Sequence, residues 1–157
     1  MVAVPLEIVI LEDAIERREI MAPCLTELCP QYAVKFFHTA GETISYLSEN
    51  LDRVLVICLD HDLDLIPIDG ERLIDPGSGR DVADFLATRT ASCPIVVHST
   101  NGPAVEGMKA VLGDAGWNIH RIVPVGATGW IRKGWRQTVR NALVEAASHV
   151  LSDVKTS

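Results

Sequence analysis

Carboxylates recur in this chain at the ends of its most apolar runs. Glu12-Asp13 follows Glu7–Leu11 (EIVIL). Asp60-His61-Asp62, with Asp64 close behind, follows Arg53–Leu59 (RVLVICL). The run Pro94–His98 (PIVVH) leads into Ser99-Thr100-Asn101. Acids gathered at one place repel one another unless protons or a cation intervene. A hard divalent ion such as Mg2+ prefers oxygen ligands and keeps waters that exchange for phosphate oxygens. Together these residue types could support cation-assisted handling of a phosphate group. Each acid also has a plainer reading as a solvated loop residue or a helix cap, as Asp13 does before a helix.

For the acids to meet, the segments carrying them must run side by side. Glu7–Leu11 reads as a strand. Ile15, Met21, Cys24, Leu25 and Leu28 then form a helical stripe over 14–29, in which Pro23 predicts a kink or an early break. Tyr32–Phe37 (YAVKFF) reads as a second strand, at a sheet edge by its Lys35. Thr39-Ala-Gly-Glu42 resembles a capping box opening a helix through Leu47. The almost unbroken apolar run Arg53–Leu59 suits a strand buried on both faces.

A polar, Gly- and Pro-bearing loop is expected from about His61 to Gly77. Ser78 can then cap a helix carrying Val82, Phe85 and Leu86. Pro94–His98 is a fourth strand. Ala104, Val105, Met108, Val111, Leu112 and Ala115 mark the next helix. Arg121–Val125 (RIVPV) is the fifth strand, and Trp135, Val139, Leu143, Ala146, Ala147 and Val150 mark a closing helix. Five strand–helix units without repeat or linker predict a single α/β domain over 1–157. Its expected form is a three-layer, doubly wound, flavodoxin-like parallel sheet with strand order 2-1-3-4-5. Such sheets bind ligands outside the carboxyl ends of their strands, where these acids stand.

Around that rim further residues suggest roles. His61, bracketed by acids, could trade a proton or bind a metal, although strand alternation sets it opposite Asp60 and Asp62. The same parity separates His98 from Ser99, and a buried core histidine is the bland reading there. Pro76-Gly77-Ser78-Gly79-Arg80 opens a helix. Backbone amides near Gly79 and a bidentate Arg80 could hold phosphate, or the segment is an ordinary capped turn. Ser99, Thr100 and Asn101 offer further phosphate contacts. Trp130 and Trp135 could stack on a base or pack a helix.

The 157 residues carry a net charge of −7, with 48% hydrophobic and 22% charged residues. That balance suits a compact soluble domain and disfavours nonspecific binding to duplex DNA. Cys24, Cys29, Cys58 and Cys93 form no CxxC pair, which predicts reduced thiols and a cytoplasmic location. No signal peptide is expected, and no apolar run is long enough to span a membrane.

Glu12-Asp13, Asp60 and Ser99, each at a strand end, resemble the receiver domain of two-component signalling over roughly residues 5–150. The resemblance implies that Glu12 and Asp13 bind Mg2+, that Asp60 accepts a phosphoryl group, that Asp62 offers its carbonyl to the metal and that Ser99 is the switch hydroxyl. Receivers carry a Lys at the end of strand five; Ile122-Val123-Pro124-Val125-Gly126 has none, and Lys133 lies further on. The loop after strand three is also longer than in receivers, and His61 and His98 stand where receivers carry apolar residues.

The segments LDHDL (Leu59–Leu63), DPGSGRDVADFL (Asp75–Leu86) and HSTN (His98–Asn101), with Trp130 and Trp135, are more similar to a receiver offshoot associated with cyclic-phosphate processing. It implies an Mg2+-dependent phosphoesterase, or one using another divalent cation, with Asp60, His61, His98 and Ser99 in the chemistry. Its partner would be a phosphate-bearing small molecule or RNA end. The alternatives are a phosphoacceptor module meeting a kinase and an effector protein, or a pseudo-receiver that binds partners without chemistry.

Overall fold

A computed structural model of the chain describes residues 4–156. Three strands, β1 (Glu7–Leu11), β3 (Val54–Asp60) and β6 (Ile95–His98), are buried along their whole length. Their near-continuous Val, Ile and Leu content suits a sheet covered on both faces. The half-buried β2 (Ala33–Phe37) and β7 (Ile119–Ile122) complete an all-parallel sheet in the order β2-β1-β3-β6-β7. Among the five strands of this sheet that is the expected order 2-1-3-4-5, with Lys35 on an edge strand.

Alternation divides each strand between two cores. Ile8, Ile10, Cys58 and Val96 face α1 (Ile15–Leu28) and α5 (Arg136–Thr156) through Met21, Leu25, Trp135 and Val139. On the other face, Val9, Leu11, Ile57, Leu59 and Val97 meet α2 (Ala40–Asn50), α3 (Gly79–Ala87) and α4 (Gly102–Asp114) through Leu47, Val82, Leu86, Val105 and Met108. Burying side chains of this size stabilises by about 1.5–3 kcal/mol each. The four cysteines are free and buried, and among the described residues no helix is long and apolar enough to cross a membrane.

Three expectations change. Strand five lies at Ile119–Ile122 rather than Arg121–Val125. Its register follows β6, with Ile95 opposite Ile119 and His98 opposite Ile122. The ladder stops with β6, and Pro124 has no N–H with which to extend it. Helix α1 runs through Pro23 without a break. The expected loop over 61–77 contains an exposed hairpin, β4 (Ile66–Asp69) with β5 (Arg72–Ile74). It turns at Gly70, whose φ of +53° is one that L side chains rarely adopt.

Local chemistry closes the starts of α2 and α3 as anticipated, whereas α1 begins after Ala14 with no side-chain cap from Asp13. The Thr39 hydroxyl accepts from the Glu42 N–H at 3.1 Å. Ahead of α3, the Ser78 N–H donates to the Asp81 carboxylate at 2.9 Å. A five-residue π-helix, Ile131–Trp135, leads into α5.

Candidate functional site

The sheet register brings β3 and β6 level at their ends, with Asp60 opposite His98. Leu11 stands opposite Leu59, so Glu12, one residue past β1, reaches the same rim. Glu12 and His98 are fully buried, and Asp60 is 5% exposed. The three share the parity of Ile8, Ile10, Cys58 and Val96, so they lie on the α1/α5 face of the rim. His98 Nε2 sits 2.7 Å from Glu12 Oε2. One ligand atom from each of Glu12, Asp60 and His98 falls within 4.8 Å of the others.

Buried charges this close cannot all persist unaided. Burial, the Glu12 charge and the Asp13 charge push the Asp60 carboxyl up to about 8, against the opposing pull of Arg17. Glu12 moves the other way. Burial alone would raise it, but the hydrogen bond and charge of His98, then Arg17 and the Ala14 N–H, hold it below the usual carboxylate value. Near neutral pH Asp60 therefore holds a proton that a cation could replace.

Above these acids lies Arg17 of α1. Its Nη1 is 3.6 Å from Glu12 Oε1 and 3.8 Å from Asp60 Oδ2. Its guanidinium carbon lies 5.3 Å from the centre of the Trp130 ring. Trp130 is stacked in turn on His98, with ring centres 5.7 Å apart, and its Nε1–H donates to the Ala127 carbonyl at 3.3 Å. Trp130 is itself buried, so it packs the site instead of offering a surface for a base. Trp135 is fully buried in the α1/α5 core.

Other expected site residues are committed elsewhere. Asp13 Oδ2 accepts from the Asp64 N–H at 2.7 Å, anchoring the start of the hairpin segment. Asp62 pairs with His61, Oδ1 to Nδ1 at 2.8 Å, and its side chain is 64% exposed. Neither Asp13 nor Asp62 belongs to the convergent group with Glu12 and Asp60. The Gly79 N–H donates to the His61 carbonyl at 3.0 Å. A Cβ at Gly79 would lie 2.2 Å from the Asp60 carbonyl oxygen, so this glycine is there for close packing. Arg80 Nε pairs with Asp84 at 2.7 Å along α3, and its Nη1 lies beside Gly107 of α4. Ser99 is buried, and its Oγ accepts from the Asn101 N–H at 3.0 Å. Asn101 caps α4 by accepting from the Ala104 N–H, and Thr100 is exposed.

The family described as the cyclic-phosphate processing receiver domain matches residues 8–114. The chain belongs to this family. Solved receiver structures share the fold of this cyclic-phosphate processing receiver at low sequence identity. A signal receiver domain from Vibrio parahaemolyticus is 14% identical with a TM-score of 0.65, covering 95% of this chain and 98% of that one. The Mn2+-bound response regulator Rcp1 is 17% identical with a TM-score of 0.62, over 85% and 91% of the two chains. The phosphorylated cyanobacterial phytochrome response regulator RcpA is 19% identical with a TM-score of 0.61, over 88% and 91%. Among curated proteins, none matches.

The receiver's buried acids fit a divalent cation. Two carboxylates and an imidazole converge, and one carboxyl is raised by its burial and by the neighbouring Glu12 charge. Sequence reasoning assigned the acids Glu12 and Asp60 and the imidazole His98 to the rim but missed Arg17. Arg17 lies in the first turn of α1, and the contacts that give it a role, to Asp60 and Trp130, join residues remote in sequence.

Proposed function

We propose that this receiver binds one divalent cation, Mg2+ or Mn2+, through Glu12, Asp60 and His98 and processes a phosphoester, cyclic by the family's description. The observation that carries the reading is the convergence of three ligand atoms within 4.8 Å at the carboxyl edge of the sheet. The imidazole in the donor set favours Mn2+ over Mg2+, which prefers all-oxygen ligands. A bound cation would supply polarisation of the phosphoryl oxygens.

The chain's own residues divide the remaining work. Asp60, at the tip of β3, faces the phosphorus as nucleophile or orients a water toward it. Glu12 holds the His98 ring in place through its 2.7 Å contact. His61 has Nδ1 held by Asp62, which leaves Nε2 as the nitrogen that gives a proton to the leaving oxygen.

A second reading has its own support, because Asp60 ends the central strand of a receiver fold: Asp60 accepts a phosphoryl group and passes a signal through β6 and β7. One experiment separates the two. The protein is incubated with the cation and 2′,3′-cyclic nucleotides, and separately with acetyl phosphate. Turnover of the cyclic nucleotide, lost in Asp60→Asn, supports the esterase. A stable mass gain from acetyl phosphate, lost in the same variant, supports the phosphoacceptor. With neither outcome and no cation binding, the chain is a binding module.

A further inference from the structure

We propose that Arg17 is the phosphate-binding cation of this site, parked on Glu12 and Asp60 until a divalent ion takes those carboxylates. The inference rests on the cation reading above and adds the group that grips the substrate. Strand five offers no lysine there: its one basic side chain near the rim, Arg121, donates through Nη2 to the Ser99 carbonyl at 3.3 Å and, by register with Val97, stands on the other face of the sheet from Glu12 and Asp60. Past β7 the chain runs Val123-Pro124-Val125-Gly126, and Lys133 is exposed in the turn before α5.

Arg17 is placed for the task in three respects. Its side chain is 29% exposed while those of Glu12 and His98 are fully buried, so it lies on the solvent side of the acids. A phosphate approaching the rim from solvent meets it first. Next, its contacts of 3.6 and 3.8 Å to the two carboxylates are ion-pair distances, longer than hydrogen bonds. The guanidinium faces both groups without being locked to either oxygen. Finally, the Trp130 face supports the guanidinium plane, and Trp130 is itself fixed by His98 and Ala127. A planar cation on an indole keeps its orientation when its anionic partner changes.

Charge accounting then gives the order of events. A divalent ion on Glu12 and Asp60 would take the two carboxylates that Arg17 now faces. Arg17 is left as an uncompensated positive charge at the mouth of the site. Its fork matches two non-bridging phosphate oxygens, so the ligand class is a phosphate ester with two free oxygens, a monoester or a diester.

The test uses methyl phosphate as probe, titrated calorimetrically into the Mn2+-saturated full chain. Arg17→Gln is expected to weaken its binding by about tenfold to a hundredfold, while Mn2+ affinity holds or rises because a competing cation is gone. Arg17→Lys, which keeps the charge and loses the fork, is expected to recover part of the loss. Unchanged methyl phosphate affinity in Arg17→Gln would overturn the inference. So would parallel loss of Mn2+ and methyl phosphate binding, which marks a structural role. Wild type that binds Mn2+ but no methyl phosphate overturns the inference and spares the cation reading; wild type that binds neither removes both.

Discussion

His98 Nε2 meets Glu12 Oε2 at 2.7 Å with both side chains wholly shielded from solvent. Two strands, β1 and β6, separated by β3 in the sheet, are thus joined by polar groups at the rim where the cation would sit. Removing one member leaves the other buried without its partner, the costly half of such a pair. His98→Ala also strips one face of Trp130. It is expected to cost about 3–5 kcal/mol in urea unfolding, and His98→Gln, which can still donate to Glu12, should recover part of that. Equal stability of wild type and His98→Ala would show that the pair contributes nothing net.

The raised Asp60 carboxyl gives a pH dependence with a definite sign. Its folded value of about 8 lies above the ordinary carboxylate value, so the folded state binds more protons between the two. Stability without cation should therefore fall as pH rises from about 4 to about 8. Glu12, held low, acts oppositely: its contribution is present above the ordinary carboxylate value and is lost as pH falls through its folded value. Asp60→Asn should flatten the decline on the alkaline side. Melting curves across this range check both limbs, and a wild-type profile as flat as that of Asp60→Asn would count against the assignment.

Gly79 has no room for a side chain beside β3. A Cβ there would fall 2.2 Å from the Asp60 carbonyl oxygen and 3.0 Å from the His61 Cα, both backbone. Gly79→Ala must displace either α3 or the strand end, at a cost of about 1–3 kcal/mol typical of overpacking. Because the displaced atoms belong to Asp60 and His61, cation affinity should fall as well. Chemical denaturation and calorimetry of the one variant test both parts.

Asp13 is expected to anchor the hairpin segment. Asp13→Ala frees the Asp64 N–H, at about 1–2 kcal/mol of local stability. Hydrogen exchange should quicken over residues 62–76 with the sheet unaffected. Cation affinity should drop only a few-fold, through the lost negative charge, against near-abolition in Glu12→Gln. A loss in Asp13→Ala as large as in Glu12→Gln would place Asp13 among the ligands.

Much of this architecture was written in local patterns. The apolar runs ending at Leu11, Leu59 and His98 announced the buried parallel strands, and the acids after them marked the rim. Asp69-Gly70 between two short apolar runs carried a hairpin signal that the polar character of 61–77 obscured. Parity argued that His98 and Ser99 face apart, and the structure gives His98 to the acid cluster and turns the Ser99 hydroxyl to the Asn101 amide. Whether Asp13 joins Glu12 depended on a contact with Asp64, fifty-one residues away, which no local pattern records. Arg17 was illegible for the same reason: its role comes from Trp130, brought over it by the packing of α1 against the π-helix and α5.

The most direct measurement is calorimetric titration of the metal-free protein with Mn2+ and Mg2+ at about pH 8, where proton competition at Asp60 is reduced. One site is expected, tighter for Mn2+, releasing a proton as it fills and abolished in both Glu12→Gln and Asp60→Asn. Absence of binding in wild type, or retention of full affinity in those two variants, would contradict a cation centre at Glu12, Asp60 and His98.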